Sequence, residues 1–123
     1  MPEHSVVASA AADICCAGST CELMPAVESA SLAAVFKALS DPTRVRLLRY
    51  LADSESGTAC ACHLPGALGI SQPTLSFHMK KLHDAGLVTR DKRGRWVHYT
   101  VVRERLAQAR GFLDVAPGAG ACC

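Results

Sequence analysis

Two cysteines separated by a single residue, Cys60 and Cys62, stand shortly before a stretch of polar and basic side chains at residues 71–81. Thiolates are soft metal ligands and react with oxidants, so this pair suits the binding of a soft ion or a redox change. The hydroxyl, amide and ammonium groups of the second stretch suit contacts with DNA phosphates and base edges. Their adjacency predicts a switch in which ligand binding at the thiols alters contacts with DNA.

Cysteine is abundant, with seven residues in a chain of 123. They are Cys15, Cys16, Cys21, Cys60, Cys62, Cys122 and Cys123. An odd number that includes two adjacent pairs is a poor basis for a disulfide framework, and in a reducing compartment such clusters more often bind metal or sense redox state.

No Lys or Arg precedes the Ala-rich N-terminal stretch, and no apolar run approaches the ~18 residues of a membrane span. We therefore expect a cytoplasmic protein without a membrane partner.

Geometry limits what the Cys-x-Cys pair can do at the start of a helix, where we expect it. Residues i and i+2 do not share a face of a regular helix, so Cys60 and Cys62 bind one ion only if the helix start is unwound or another segment adds ligands. Cys15 and Cys16 are the obvious suppliers, and Cys21 is a further candidate. Three thiolates suit trivalent arsenic or antimony, and four suit cadmium, lead or structural zinc.

Each group of thiols also has a simpler interpretation. Cys60 and Cys62 could be small buried apolar residues, and Cys15 and Cys16 could be incidental thiols of a disordered arm. For the adjacent pair at residues 122–123, an incidental tail and a second soft-ion site are equally open.

Helical periodicity defines the first two predicted helices. The first, over residues 26–39, has apolar residues at i, i+3, i+4 and i+7. These residues are Leu32, Val35, Phe36 and Leu39. Asp41 and Pro42 then supply an N-cap and a first helical residue for a second helix, which a polar loop over residues 53–58 follows. The predicted buried residues of the second helix are Val45, Leu47, Leu48 and Leu51.

A short helix over residues 62–68 and a longer helix after Ser71 form a predicted helix-turn-helix. Pro65 is tolerated in the first turn of the short helix, and Gly69 ends that helix. Ser71 caps the longer helix, which ends at Gly86. The predicted buried residues of the longer helix are Leu75, Met79 and Leu82.

Alternating strands over residues 87–91 and 96–101 flank a basic turn at residues 92–95, and a last helix covers residues 103–113. The order of these elements predicts a mainly α fold with a small β-hairpin, which is a winged helix-turn-helix.

The predicted DNA-binding domain covers residues 26–114, between a flexible Cys-containing arm at residues 1–25 and a flexible tail at residues 115–123. The net charge is +2, but residues 1–31 carry −4 and residues 32–123 carry +6. A basic second half suits a polyanionic partner, although on charge alone an ordinary solvated surface explains it equally well.

A helix that reads DNA needs polar side chains on the face opposite its buried anchor, and the helix after Ser71 has them. The outward candidates are Gln72, Thr74, Ser76, Phe77, His78 and Lys81. The hairpin turn adds Arg93 and Arg95, which suit phosphates or a neighbouring groove. Joined at this spacing, the two elements favour binding of double-stranded DNA over a merely charged surface.

Three segments together resemble the ArsR/SmtB family of bacterial metal-responsive repressors. They are FKALSDPTRVRLL at residues 36–48, GISQPTLSFHMKKL at residues 69–82 and AGLV at residues 85–88. The resemblance covers about residues 30–113 and implies a winged-helix repressor that leaves its operator DNA when a metal or metalloid binds. It further implies a homodimer through the first and last helices and a recognition helix at residues 72–81. Phe77 departs from the pattern, since many relatives carry His there.

The same resemblance implies an inducer site at Cys60 and Cys62, because many arsenic, antimony and cadmium sensors of the family carry Cys-x-Cys at this place. Similar members recruit cysteines of the N-terminal arm, which here would be Cys15 and Cys16. The expected inducer is trivalent arsenic or antimony. A cadmium- or lead-sensing repressor and a thiol redox-sensing repressor are the alternatives. The last helix has no His, which argues against the zinc, nickel or cobalt site of other family members.

An enzyme is not expected, because the thiols and five scattered His residues come with no Gly-rich phosphate loop or catalytic signature. A metallochaperone would explain the cysteines but not the recognition helix and the hairpin. Single His residues at positions 63, 78, 83 and 98 are expected to be structural or to contact DNA.

Overall fold

The computed structural model describes residues 22–115, within which Ala26–Asp114 form one compact unit. The predictions for five of the seven cysteines concern residues outside this range. These are Cys15, Cys16, Cys21, Cys122 and Cys123. None of the helices at residues 22–115 combines the length and the apolar surface that a membrane span requires.

Helices and strands follow one another in the predicted order. The helices are α1 (Ala26–Ala38), α2 (Pro42–Asp53), α3 (Leu64–Leu68), α4 (Gln72–Asp84) and α5 (Arg103–Leu113). The strands are β1 (Thr58–Cys60), β2 (Val88–Arg93) and β3 (Trp96–Val101), and a 3₁₀ turn at Glu55–Gly57 precedes β1. The fold is mainly helical with a small antiparallel sheet, which confirms the predicted class.

Side-chain caps fix the starts of α2 and α4 at the predicted residues. The carboxylate of Asp41 accepts hydrogen bonds from the backbone N–H groups of Thr43 and Arg44, with N···O distances of 2.8 and 3.2 Å. Burial alone raises the pKa of Asp41, but these bonds and nearby positive charge outweigh it and hold the pKa below its ordinary value. Ser71 Oγ accepts from the N–H of Thr74 at 3.2 Å. Each cap stabilises its helix by about 1 kcal/mol.

The core forms where α2 and α4 pack against the sheet. Its most deeply buried large side chains include Leu47, Leu51, Leu75, Met79, Leu82 and Leu87. The predicted buried residues of α2 and α4 are confirmed except for Val45, which is 49% exposed. Two residues correspond to about 200° of rotation around a helix, so Val45 lies on the opposite side of α2 from Leu47.

Both strand pairings are antiparallel, and the strand order is β1–β3–β2. β2 and β3 form the predicted hairpin, but β2 continues to Arg93, which pairs with Trp96. The turn is therefore Gly94 and Arg95 rather than residues 92–95. Gly94 has a positive φ of 64°, which so tight a turn requires. We refer to this hairpin as the wing.

Strand β1 corrects the prediction of a polar loop over residues 53–58. Thr58 pairs with Thr100 of β3, and their hydroxyl oxygens lie 2.8 Å apart. The end of the predicted loop is extended because it pairs with β3 and adds a third strand to the wing. We refer to this three-stranded sheet as the wing sheet.

Candidate thiol site and nucleic-acid interface

The thiol pair lies in a strand and a turn rather than at the start of a helix. Cys60 is the last residue of β1, and the helix predicted over residues 62–68 begins only at Leu64. The N–H of Ala61 donates to the carbonyl of Val97 at 3.0 Å, so one further hydrogen bond ties the chain to β3 before the turn at Ala61 and Cys62. The constraint that a regular helix places on an i, i+2 pair therefore does not apply to these cysteines.

Cys60 and Cys62 are free thiols that contact each other. The backbone N–H of Cys62 donates to Cys60 Sγ, with an N···S distance of 3.2 Å. The hydrogen bond with the Cys60 side chain, then burial, then the charge of a Cys60 thiolate raise the pKa of Cys62. Cys62 thus keeps its proton at neutral pH until a ligand displaces it. Because its side chain is exposed, an ion can reach it from solvent.

Two thiols alone do not complete a metal site. Among residues 22–115, no three His, Cys, Asp or Glu side chains are placed to hold one ion together. His98 pairs with Cys60 across β3 and β1, so both side chains project from the same face of the sheet. Its buried Nδ1 has no hydrogen-bond partner in this part of the chain, a feature that the sequence did not predict. A site with three thiolates would need at least one more from outside residues 22–115.

Two other imidazoles already have partners. His63 Nε2 lies 3.0 Å from the hydroxyl oxygen of Tyr50, and His78 Nδ1 lies 3.1 Å from Nη1 of Arg44. Because a guanidinium only donates, His78 Nδ1 accepts this bond and the ring keeps Nε2 for any further partner. A DNA contact by His78 is therefore limited to one ring nitrogen.

Helix α4 presents a polar surface on the side away from the core. The predicted DNA contacts that lie exposed on it are Gln72, Thr74, Ser76 and Lys81. His78 is half-buried between α4 and α2. The hydroxyl of Thr74 lies 2.9 Å from that of Ser71, so it also takes part in the helix cap. Gly69 ends α3 with a φ of 69°, in the left-handed region, and so allows the sharp turn into α4.

The two predicted arginines of the wing differ in their surroundings. Arg93 Nε lies 2.9 Å from Asp91 Oδ2, so an ion pair balances part of its charge. The guanidinium of Arg95 lies 5.5 Å from the centre of the Trp96 ring, which is a cation–π arrangement. An aromatic ring rather than a carboxylate thus orients Arg95, which leaves its charge available to a phosphate.

A contact that the sequence did not predict ties the end of α4 to α1 and α5. Arg105 of α5 donates from Nε and Nη2 to the carbonyl of Ala85, at 3.1 and 3.0 Å. Its Nη1 donates to the hydroxyl of Ser31 in α1 at 2.7 Å. A change in the packing of α1 or α5 would therefore act directly on Ala85, the C-cap residue of α4.

Comparison with known proteins gives consistent matches. The profile described as "Bacterial regulatory protein, arsR family" matches residues 41–90. The arsenical resistance operon repressor of Escherichia coli is 40% identical over 82 residues, which cover 67% of this chain and 68% of the relative.

Two solved structures are similar over most of the same region. The crystal structure of an ArsR family transcriptional regulator matches with a TM-score of 0.62 and 27% sequence identity. The match covers 69% of this chain and 84% of the regulator's chain. The crystal structure of the AntR antimony-specific transcriptional repressor matches with a TM-score of 0.60 and 28% sequence identity. The match covers 76% of this chain and 84% of the AntR chain. These similarities confirm the winged helix-turn-helix. The chain belongs to the ArsR family, whose members are DNA-binding transcriptional regulators and not enzymes.

Proposed function

We propose that the protein is a repressor that leaves its operator when trivalent arsenic or antimony binds cysteine thiolates. The observation that carries this proposal is the position of the thiol pair directly before the helix-turn-helix, with Cys60 at the end of a strand of the wing sheet and Cys62 in the turn that follows. The names of two similar proteins support the choice of inducer, since one is an arsenical resistance operon repressor and the other is antimony-specific.

Cys15 and Cys16 are the proposed source of the remaining ligands for an ion at Cys60 and Cys62. Trivalent arsenic takes three thiolates, and the described residues offer a pair at this place. The exchange balances, because neutral arsenous acid loses three hydroxyl groups and three thiols give up the protons that turn them into water. Both arm thiolates together with the pair would give four ligands, which suit cadmium or lead as alternative inducers.

Two connections couple the proposed inducer site to the proposed DNA contacts. After Cys62 the chain enters α3 at Leu64 and passes through residues 69–71 into α4. Cys60 ends β1, which pairs with β3 of the wing. Movement of the thiols toward a bound ion would therefore act on the reading helix and on the wing at once.

In the proposed operator complex, α4 enters the major groove and the wing lies against the backbone or an adjacent groove. The proposed DNA contacts are Gln72, Thr74, Ser76, His78, Lys81, Arg93 and Arg95. The amide and hydroxyl groups near the start of α4 suit base edges, whereas Lys81 and the two arginines suit phosphates.

A homodimer through α1 and α5 is the proposed binding unit. Val27, Phe112 and Leu113 of these helices are 79%, 49% and 62% exposed in the single chain. The rings of Phe36 and Phe112, which lie 5.7 Å apart, join the two helices. A second copy of the chain would cover this apolar surface and place two reading helices about one helical turn of DNA apart.

Operator binding measured with one effector at a time tests the proposed inducer. Arsenite and antimonite are expected to weaken operator affinity about 100-fold, which corresponds to roughly 3 kcal/mol of coupling. Zinc and a mild oxidant should leave the affinity unchanged. Release by cadmium or lead without release by arsenite would favour the metal-sensing alternative, and release by the oxidant alone would favour a redox sensor.

Lys81→Ala is expected to weaken binding to the operator and to unrelated duplexes alike, because a phosphate contact carries no sequence information. The slope of log affinity against log salt concentration should fall in magnitude by about 1. Arg46→Ala removes the same charge from the exposed surface of α2, outside α4, the wing and the proposed dimer helices, and is the matched control, with an expected slope equal to that of the wild type. An unaltered slope for Lys81→Ala would contradict the proposed docking of α4.

A further inference from the structure

We propose that Phe77 contacts the C5-methyl group of a thymine in the major groove and so contributes to the choice of operator sequence. This inference rests on the proposed placement of α4 in the major groove. Phe77 lies in the middle of α4 and is 53% exposed. It stands two residues from Leu75 and two from Met79, so it points about 200° away from each of these buried side chains. Phe77 therefore lies at the centre of the side of α4 that faces solvent.

The fold gives Phe77 no structural role that would account for its size. The apolar side chains that are buried in the core or packed against it come from every major element, and Phe77 is not among them. Its ring lies beside two side chains of its own helix. Lys81 Nζ lies 5.2 Å from the ring centre, and the His78 ring stands edge-on at 5.7 Å between centres. An aromatic ring left in water on the polar face of a DNA-reading helix suits an apolar partner that arrives with the DNA.

Thymine is the base that offers such a partner. In the major groove its methyl group is the apolar feature that distinguishes it, and apolar side chains including Phe are the groups that contact it. The ammonium of Lys81 lies above the ring in a cation–π arrangement, and its charge suits a phosphate. Phe77 and Lys81 would thus act side by side, the ring on a base and the charge on the backbone.

Replacement of thymine by deoxyuridine tests this contact, because the two bases differ only by the methyl group. The full chain is titrated with the duplex that it selects most strongly from a random pool, and with copies that carry deoxyuridine at one thymine at a time. Wild-type protein should lose roughly fourfold in affinity at one thymine of each half-site, the effect expected for one buried methyl group. Phe77→Ala should bind the two versions equally well, and Phe77→Leu should keep most of the difference.

Each outcome decides the matter. If Phe77→Ala keeps the full methyl effect, or if wild-type protein shows none at any thymine, Phe77 does not read the base. Operator binding and its release by arsenite would then stand unaffected, so this failure is distinct from a failure of the proposed function. If wild-type protein selects no duplex at all, the proposed function and the role of Phe77 are both overturned. Thermal unfolding of Phe77→Ala should match the wild type, because the ring lies outside the core.

Discussion

Serine in place of both Cys60 and Cys62 is expected to abolish operator release by arsenite while leaving operator affinity within about twofold of the wild type. A serine hydroxyl stays protonated and is a hard ligand, so it does not replace a thiolate on trivalent arsenic. The variant should therefore lose the whole response of about 100-fold, or roughly 3 kcal/mol of coupling. The measurement is fluorescence anisotropy of a labelled operator, with and without arsenite.

Pairs of cysteines elsewhere in the chain supply the controls. Cys122→Ser with Cys123→Ser makes the same chemical change in the tail and should keep the response. Cys15→Ser with Cys16→Ser should lose most of it, because the proposed third thiolate comes from the arm. A full arsenite response in the variant that lacks the thiols of residues 60 and 62 would place the inducer site elsewhere.

Much of the fold could be predicted because its signals are local. Asp41 and Ser71 are capping residues followed by Pro at the first or second helical position, and both caps form where the sequence places them. The core residues of α4 recur at helical spacing, and a glycine stands in the two-residue turn of the wing. Such features depend on neighbours within one or two turns of the chain, so a single sequence reveals them.

Features that depend on distant residues were missed. β1 is three residues long and has no alternating pattern, and it is extended only because it pairs with β3 some forty positions later. Arg105 reads as an ordinary charged residue, yet it bonds to Ala85 and to Ser31, which is 74 positions away. Val45 was wrongly predicted as buried because nothing in its own neighbourhood distinguishes it from the other apolar residues of α2.

In the candidate site too, the local motif could be predicted from the sequence, whereas its backbone conformation and its neighbours could not. Cys-x-Cys was visible as a motif, but its backbone was expected to be helical and is a strand end followed by a turn. The hydrogen bond from the N–H of Cys62 to Cys60 Sγ and the position of His98 opposite Cys60 follow from the register of β1 and β3. That register is set by packing of the whole sheet, so no spacing rule could have supplied it.

Cadmium and arsenite are expected to respond to pH in different ways, even if both bind the same thiols. Cadmium must displace into solvent the proton of each thiol that binds it, so with the four thiolates proposed above its affinity should rise by about 10,000-fold per pH unit at pH values where all four thiols are protonated. The raised pKa of Cys62 extends this rise upward, because its proton stays bound until the pH passes that pKa. Arsenous acid brings hydroxyl groups that accept the thiol protons and leave as water, so its affinity should stay nearly flat.

Calorimetric titrations at about pH 6, 7 and 8 measure both profiles in the range where ordinary thiols are protonated. Cys62→Ser removes one of the protons that cadmium displaces. The rise in cadmium affinity per pH unit should therefore be about tenfold smaller in this variant than in the wild type. A flat cadmium profile in the wild type would mean that thiols are not the ligands. A steep arsenite profile would mean that arsenic does not arrive as neutral arsenous acid or that groups other than thiols take part. Because the two ions would share the same sulfur atoms, only the number of protons released distinguishes how each of them enters the site.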